Sequence, residues 1–217
     1  MKKFSFYVSN NGTRLQNFLI KYKNNSLIKD IKFVLIDNIN NSDLRGLCKD
    51  LNIQFYEIDL EVKENKNEFI SDTFLNYLDL YSIDNAFIFA DVILVGDILK
   101  VYKNKLINFH PSLLPLYKGR LAIDRALKDN TFLLGNTAHF IDETLDGGSV
   151  IMQNIFHTTK FTKYDDVLNK QLIMILQLMY WINSDRLVTN NKKTIVLDAS
   201  YNIEEFIPNI EIIDNCK

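Results

Sequence analysis

Short apolar runs recur along this chain at KFSFYV (3–8), IKFVLI (31–36), IQFYEI (53–58), NAFIFA (85–90) and KLINFH (105–110), and each has the length of a strand. Between them the apolar residues take helical spacing, as in Leu15, Phe18, Leu19 and Tyr22, and again in Phe69, Phe74, Leu75 and Leu78. Strands that alternate with helices predict an α/β chain with a mostly parallel, Rossmann-like sheet flanked by helices. NAFIFA and KFVLI lack internal polar alternation, which suits strands buried on both faces. GNTAHFID and SVIMQNIF read as later strands around a Gly-Gly turn, and 163–183 as a covering helix. The Asn- and Lys-rich pieces YKNNS, DNINNSD, NKNE and TNNKK read as solvated connectors. One catalytic domain is expected over 1–190. Residues 191–217 read as a short extension with a final strand or hairpin and a short helix, too small to fold alone.

Composition narrows the classes. Hydrophobic residues make up 47% and charged residues 24%, ordinary globular values. With 25 basic and 27 acidic residues the net charge is −2, so nothing marks a nucleic-acid polymer or an anionic membrane as partner. Small molecules are the expected ligands. MKKFSFYVSNNGT has too short an apolar run for a secretory signal, and QLIMILQLMYWI is broken by Gln177, so a cytoplasmic protein is expected. Cys48 and Cys216 have no metal or redox spacing and read as two free thiols.

Candidate chemistry gathers in three places. In INFHPSLLP, Asn108 and His110 fall on one face of a strand end because strand side chains repeat every two residues, and Pro111 and Pro115 stiffen the exit. An amide that donates to an oxyanion beside an imidazole that exchanges protons suits a tetrahedral intermediate at a carbonyl. A strand-end cap with a satisfied core histidine would explain the same pair. GNTAHFIDETLDGGSVIMQ adds His139, Asp142 and Asp146 in one strand-loop-strand unit. Asp146 is a plausible proton acceptor there, while Asp142 and Glu143 also fit as turn residues. VSNNGTRLQNFL opens a helix after the first strand, with Gly12 at the turn and either an ordinary N-cap at Thr13 or an anion site. It lacks the spaced glycines of a dinucleotide or P-loop fingerprint.

Taken together, INFHPSLLPLYKG, TAHFIDETLDGG and SNNGTRLQ resemble the folate-dependent formyltransferase family that includes glycinamide ribonucleotide transformylase, over about residues 4–185. The resemblance implies 10-formyltetrahydrofolate as donor, a primary amine as acceptor, no metal, and Asn108, His110 and Asp146 as the catalytic triplet. It implies a pterin against Phe89, Asp91, Val92, Ile93, Leu94 and Leu99 and around His139 and Asp142, with Ser9, Gly12, Thr13, Arg14 and Pro111 toward the acceptor. Three departures from the purine enzyme stand out: Thr13-Arg14 after the loop glycine, Ile123 where a histidine is usual, and no acid in VLNKQLIMILQLMYWI. They shift the preferred acceptor to a dTDP-linked amino sugar, with glycinamide ribonucleotide as the alternative and a homodimer left open. A methionyl-transfer-RNA formyltransferase would need a further nucleic-acid domain, and a non-catalytic folate- or nucleotide-binding module would have no use for all three polar residues.

Overall fold

The computed structural model describes residues 1–60, 63–90, 92–159, 161–190 and 193–212. Backbone contacts divide the chain into two compact units, Met1–Ile107 and Asn108–Lys217. The division falls inside a strand.

Unit 1 contains β1 (Phe4–Val8), β2 (Ile31–Ile36), β3 (Gln54–Glu57) and β4 (Asn85–Phe89), in the order β3-β2-β1-β4, and every pairing among them is parallel. Parallel pairing follows from the crossovers, which run through α1 (Thr13–Tyr22), α2 (Ser42–Asp50) and α3 (Lys66–Tyr81). β1 is buried along its whole length, as an inner strand should be, whereas edge strand β3 is only half-buried. The core is aromatic: Phe6 stacks on Phe87 with centroids 5.1 Å apart, and Phe74 meets both Tyr7 and Phe33. α1 buries Leu15, Phe18, Leu19 and Tyr22, as its spacing predicts. α3 buries Ile70, Phe74 and Leu78 and leaves Phe69 and Leu75 half-covered, so its inward face is rotated from the predicted one. The connector DNINNSD hides the start of α2. Asn41 caps that helix, its side-chain oxygen accepting Leu44 N–H at 3.1 Å.

Unit 2 takes up residues 108–110 of β5 (Leu106–His110) and continues through α5 (Ala122–Lys128), β6 (Leu133–Phe140), β7 (Val150–His157) and α6 (Tyr164–Asn183); the short α4 (Asp97–Val101) belongs to unit 1. β6 and β7 pair antiparallel, and β10 (Phe206–Ile207) adds to β7 antiparallel. The fold class is therefore the expected α/β one, with mostly parallel pairing and flanking helices, and the antiparallel strands come late in the chain. β8 (Leu187–Asn190), which precedes the expected extension, pairs antiparallel with β9 (Lys193–Val196). No helix follows α6 among the described residues, which corrects the predicted short C-terminal helix; Cys216 lies outside them. Cys48 is a buried free thiol, its pKa pushed up to about 12 by burial.

Gln177, the residue that interrupts the apolar run of α6, is fully buried, and its side-chain oxygen accepts the backbone N–H groups of Glu211 at 2.8 Å and Ile212 at 2.9 Å. It thus satisfies backbone amides of the tail. No helix of the described residues is long and apolar enough to cross a membrane. At the β6–β7 contact, a Cβ on Gly135 would stand 2.0 Å from the Asn154 carbonyl oxygen and 2.6 Å from Leu113 Cδ2. Backbone cannot yield there as a flexible side chain would. Gly135→Ala is expected to lower stability by about 3 kcal/mol, the upper end of overpacking costs, as measured by urea unfolding; a loss below about 1 kcal/mol would show that the ladder gives way easily.

Candidate active site

β5 delivers the strand-end pair as its alternation requires. Asn108 and His110 share a face, Asn108 half-buried and the His110 side chain 6% exposed. The segment that follows is fastened from behind by Thr137, a fully buried residue of β6. Its hydroxyl donates to Ser112 O at 2.7 Å and accepts from Leu114 N at 3.0 Å and Gln153 Nε2 at 2.9 Å. Gln153 Nε2 also donates to Leu114 O at 3.2 Å, and Ser112 Oγ donates to Leu116 O at 2.5 Å. The prolines of this segment therefore act together with a side-chain clamp that the sequence motif did not reveal.

Asp146 approaches from the β6–β7 loop. Its own φ is 45°, a left-handed conformation uncommon for a residue with a Cβ. Two glycines let the loop close behind it. A Cβ on Gly147 would meet Thr144 Oγ1 at 2.0 Å, and one on Gly148 would meet Phe140 O at 1.9 Å. Asp142 is exposed and serves the same loop, its Oδ1 accepting both the N–H of Thr144 at 2.8 Å and its hydroxyl at 2.5 Å.

The result is a junction of four side chains within unit 2. His110 Nδ1 lies 3.3 Å from Asp146 Oδ2, and Gly119 N–H donates to the same oxygen at 2.7 Å. Asn108 Nδ2 donates to His139 Nε2 at 3.3 Å, and His139 Nε2 lies 3.7 Å from Asp146 Oδ1. Carbonyl partners assign the imidazole protons. His139 Nδ1–H donates to Phe140 O at 2.9 Å, which leaves Nε2 as the acceptor for Asn108. His110 Nε2–H donates to Tyr117 O at 2.8 Å, so its Nδ1 faces the carboxylate and a proton can pass along that contact. Burial lowers the His139 pKa below the ordinary histidine value; the Phe140 carbonyl and the charge of Asp146 oppose this and are outweighed. A register step puts His139 in place, because Ala138 is opposite Met152 while His139 is opposite Val150. One extra residue on β7 bends the ladder there.

The resemblance puts His139 with the pterin, but both of its ring nitrogens are engaged by Phe140 and Asn108. Its place is beside Asn108 and Asp146. Asn108, His110 and Asp146 are brought together, and Pro111 follows directly. The remaining candidates lie in unit 1. There Leu94 is buried, Phe89, Val92 and Leu99 are half-buried and Ile93 is exposed; Asp91 lies outside the described residues. Gly12, not Thr13, is the N-cap of α1, with φ 60°, and a Cβ on it would stand 2.8 Å from Leu44 Cδ2. Thr13 is exposed. Ser9 Oγ donates to Asp37 Oδ2 at 2.5 Å, so its hydroxyl proton is directed at a carboxylate. Arg14 is half-buried rather than solvated, its guanidinium carbon 4.7 Å from the centroid of the Phe89 ring. No cluster of His, Cys, Asp or Glu suited to a metal ion occurs among the described residues.

An α/β fold that carries an amide, an imidazole and a carboxylate at one strand end defines a class, the enzymes that transfer a group through attack at a carbonyl carbon. Residues 2–173 match the formyl transferase family, and the chain belongs to it. It is similar to phosphoribosylglycinamide formyltransferase of Bacillus subtilis, 27% identical over 154 residues that cover 70% of this chain and 78% of that one. It is likewise similar to formyltetrahydrofolate deformylase of the same organism, 25% identical over 207 residues, 91% of this chain and 66% of the relative. The crystal structure of glycinamide ribonucleotide transformylase 1 from Symbiobacterium toebii shares the fold, with a TM-score of 0.77 at 21% identity over 91% of this chain and 95% of that one.

The lowered pKa of His139 has a consequence for folding. A histidine held neutral in the folded state binds fewer protons there than when unfolded, so stability falls as pH drops through the unfolded value near about 6.5 and the loss levels off below the folded value. Imidazole NMR should show His139 titrating below the ordinary range. Replacement by Gln should flatten the pH dependence of urea unfolding below about pH 6.5; an unchanged slope would mean that burial does not set the His139 charge.

Proposed function

We propose that this chain moves a formyl group from 10-formyltetrahydrofolate to the primary amine of a small acceptor. The observation that carries the reading is the junction of Asn108, His110 and Asp146 in a chain of the formyl transferase family. The amine attacks the formyl carbon, and Asn108 donates an N–H to the carbonyl oxygen as it becomes an oxyanion. Attack creates an ammonium, whose proton passes to Asp146 and is shared with His110 Nδ1 across their contact. Collapse of the intermediate breaks the bond from the formyl carbon to N10 of the folate, and N10 receives the proton. The products are the formamide and tetrahydrofolate, with no net change in protons. In this reading the apolar segment around Phe89, Val92, Ile93, Leu94 and Leu99 serves the pterin.

For the acceptor, an amino sugar on deoxythymidine diphosphate is our preferred reading. Thr13-Arg14 at the start of α1 and the absence of an acid over 167–182 support it. Ile123 does not, because it is 1% exposed and packed with Ala126, Leu134 and Val167, so this position faces core rather than ligand. The similarity to phosphoribosylglycinamide formyltransferase supports glycinamide ribonucleotide as the alternative. The similarity to a formyltetrahydrofolate deformylase, which extends over 91% of the chain, supports a second reading in which water replaces the amine and formate is released.

One panel separates these readings: 10-formyltetrahydrofolate alone, with glycinamide ribonucleotide, and with 3-amino and 4-amino dideoxy sugar nucleotides, followed by mass spectrometry of the formyl products. Formylated sugar nucleotide is expected, and Asn108→Ala and Asp146→Asn should each lower turnover by about 100-fold with the protein still folded. Formate release that ignores every amine would replace transfer by hydrolysis. Folate binding without turnover of any kind would leave only a binding module.

A further inference from the structure

We propose that Arg125 is a positioning residue of this site, acting on His110 and Asp146 through the backbone of residues 117–119. The inference deepens the formyl-transfer reading and rests on it for the kinetic part of its test only. Arg125 is an exposed residue of α5 that turns its guanidinium back toward the preceding turn. Its Nη2 donates to Tyr117 O at 2.8 Å and to Lys118 O, and lies 3.5 Å from Gly119 O. Its Cζ lies 5.9 Å from the centroid of the Tyr117 ring. Three successive carbonyl oxygens within reach of one nitrogen repel one another unless a cation stands among them. Arg125 is that cation.

The turn it holds is one the backbone resists. Tyr117 has φ 51° and Gly119 φ 78°, both in the left-handed region, and Tyr117 has a Cβ that disfavours it. This same turn makes two contacts with the catalytic pair: Tyr117 O accepts His110 Nε2–H at 2.8 Å, and Gly119 N–H donates to Asp146 Oδ2 at 2.7 Å. The Tyr117 carbonyl is thus shared between the guanidinium and the imidazole. While it is held there, Nε2 of His110 must bear the proton, and Nδ1 is left for Asp146. Without the guanidinium, Tyr117 can relax to negative φ and carry its carbonyl away from His110. An imidazole so released can take the other tautomer, which presents Nδ1–H to Asp146, so that His110 can no longer share with the carboxylate a proton that arrives there. Arg125 need not touch any substrate to matter for the reaction.

The test combines an activity-independent signal with kinetics. Arg125→Ala, Arg125→Gln and Arg125→Lys are compared with the unaltered protein, with Lys128→Ala, an exposed charge of the same helix, as control. Nitrogen-15 imidazole spectra, followed upward in pH until they stop changing, report the His110 tautomer without any ligand. The unaltered protein and Lys128→Ala should show the Nε2–H form. Arg125→Ala and Arg125→Gln should shift toward Nδ1–H and lower kcat by about 10-fold or more, with KM for the formyl donor within about twofold, as expected for displaced catalytic groups. Arg125→Lys should fall between, since an ammonium restores the charge but not the planar fork. Folding of each variant is checked by its near-ultraviolet dichroism, and the Gln and Lys variants carry the test if Ala fails to fold. Unchanged tautomer and unchanged kcat in the folded variants would overturn the proposal. So would a fall in kcat with unchanged His110 signals, which would reduce Arg125 to a stabiliser of the turn. If the unaltered protein formylates no amine, the formyl-transfer reading fails while the nitrogen spectra still decide the role of Arg125.

Discussion

The Asp146 carboxylate, 10% exposed and set beside two imidazoles, is the constraint around which unit 2 is arranged. A buried carboxylate must be paired and hydrogen-bonded or it takes up a proton and loses its use as a base. Asp146 obtains an N–H from Gly119 and a contact with His110 Nδ1. Each of these needs backbone in an unusual conformation, at Tyr117 and Gly119 on one side and at Asp146 itself on the other. Strain of this kind persists only where surrounding contacts hold it, and here they are the Arg125 guanidinium at the carbonyls of Tyr117 and Lys118 and the close approach of Gly147 and Gly148 to their own loop.

The two buried histidines are held in different states by different partners. His139 has a carbonyl at Nδ1 and an amide donor at Nε2, an arrangement that only the neutral ring satisfies, and its burial acts in the same direction. It orients Asn108. His110 has its carbonyl at Nε2 and a carboxylate at Nδ1, an arrangement that accommodates a proton arriving or leaving. In the proposed formyl transfer these two residues of one type would take separate parts, one orienting the oxyanion donor and the other sharing the proton with Asp146.

Behind this surface the polar residues of the core are structural. Asn136 accepts from Gln171 Nε2 at 2.6 Å and donates to Val167 O and to Asn154 Oδ1, each at 3.0 Å, which ties α6 to β6 and β7. Gln171 Nε2 also lies 3.5 Å from Phe109 O, between the two strand-end residues. At the far end of α6, Glu211 accepts from Trp181 Nε1 at 3.2 Å and from both terminal nitrogens of Arg186, at 2.6 and 2.9 Å. The Arg186 guanidinium beside it, together with the indole, holds the Glu211 carboxyl below the usual range. The tail beyond β9 is therefore fastened by specific polar bonds as well as by apolar contact.

Periodicity was enough to place the strands from β1 to β7 and the long helices, since alternation and helical spacing follow from local geometry and are imposed wherever a face is buried. It also put Asn108 and His110 on one face, because two residues apart on a strand means the same side. The motif residues around Gly147 marked Asp146 in the same way. Other features had no trace in the sequence. The proton acceptor for His110 is a backbone carbonyl, which any residue at 117 would supply. The reach of Arg125 depends on a turn whose φ angles no residue type announced, and His139 joined Asn108 through a register step between β6 and β7. Local pattern decided most of the elements and the facing of strand side chains, but not the rotation of α3 or the start of α2. The pairing of atoms from distant positions, and with it the tautomer of each ring, is decided only when tertiary burial removes water and presses polar groups to find partners.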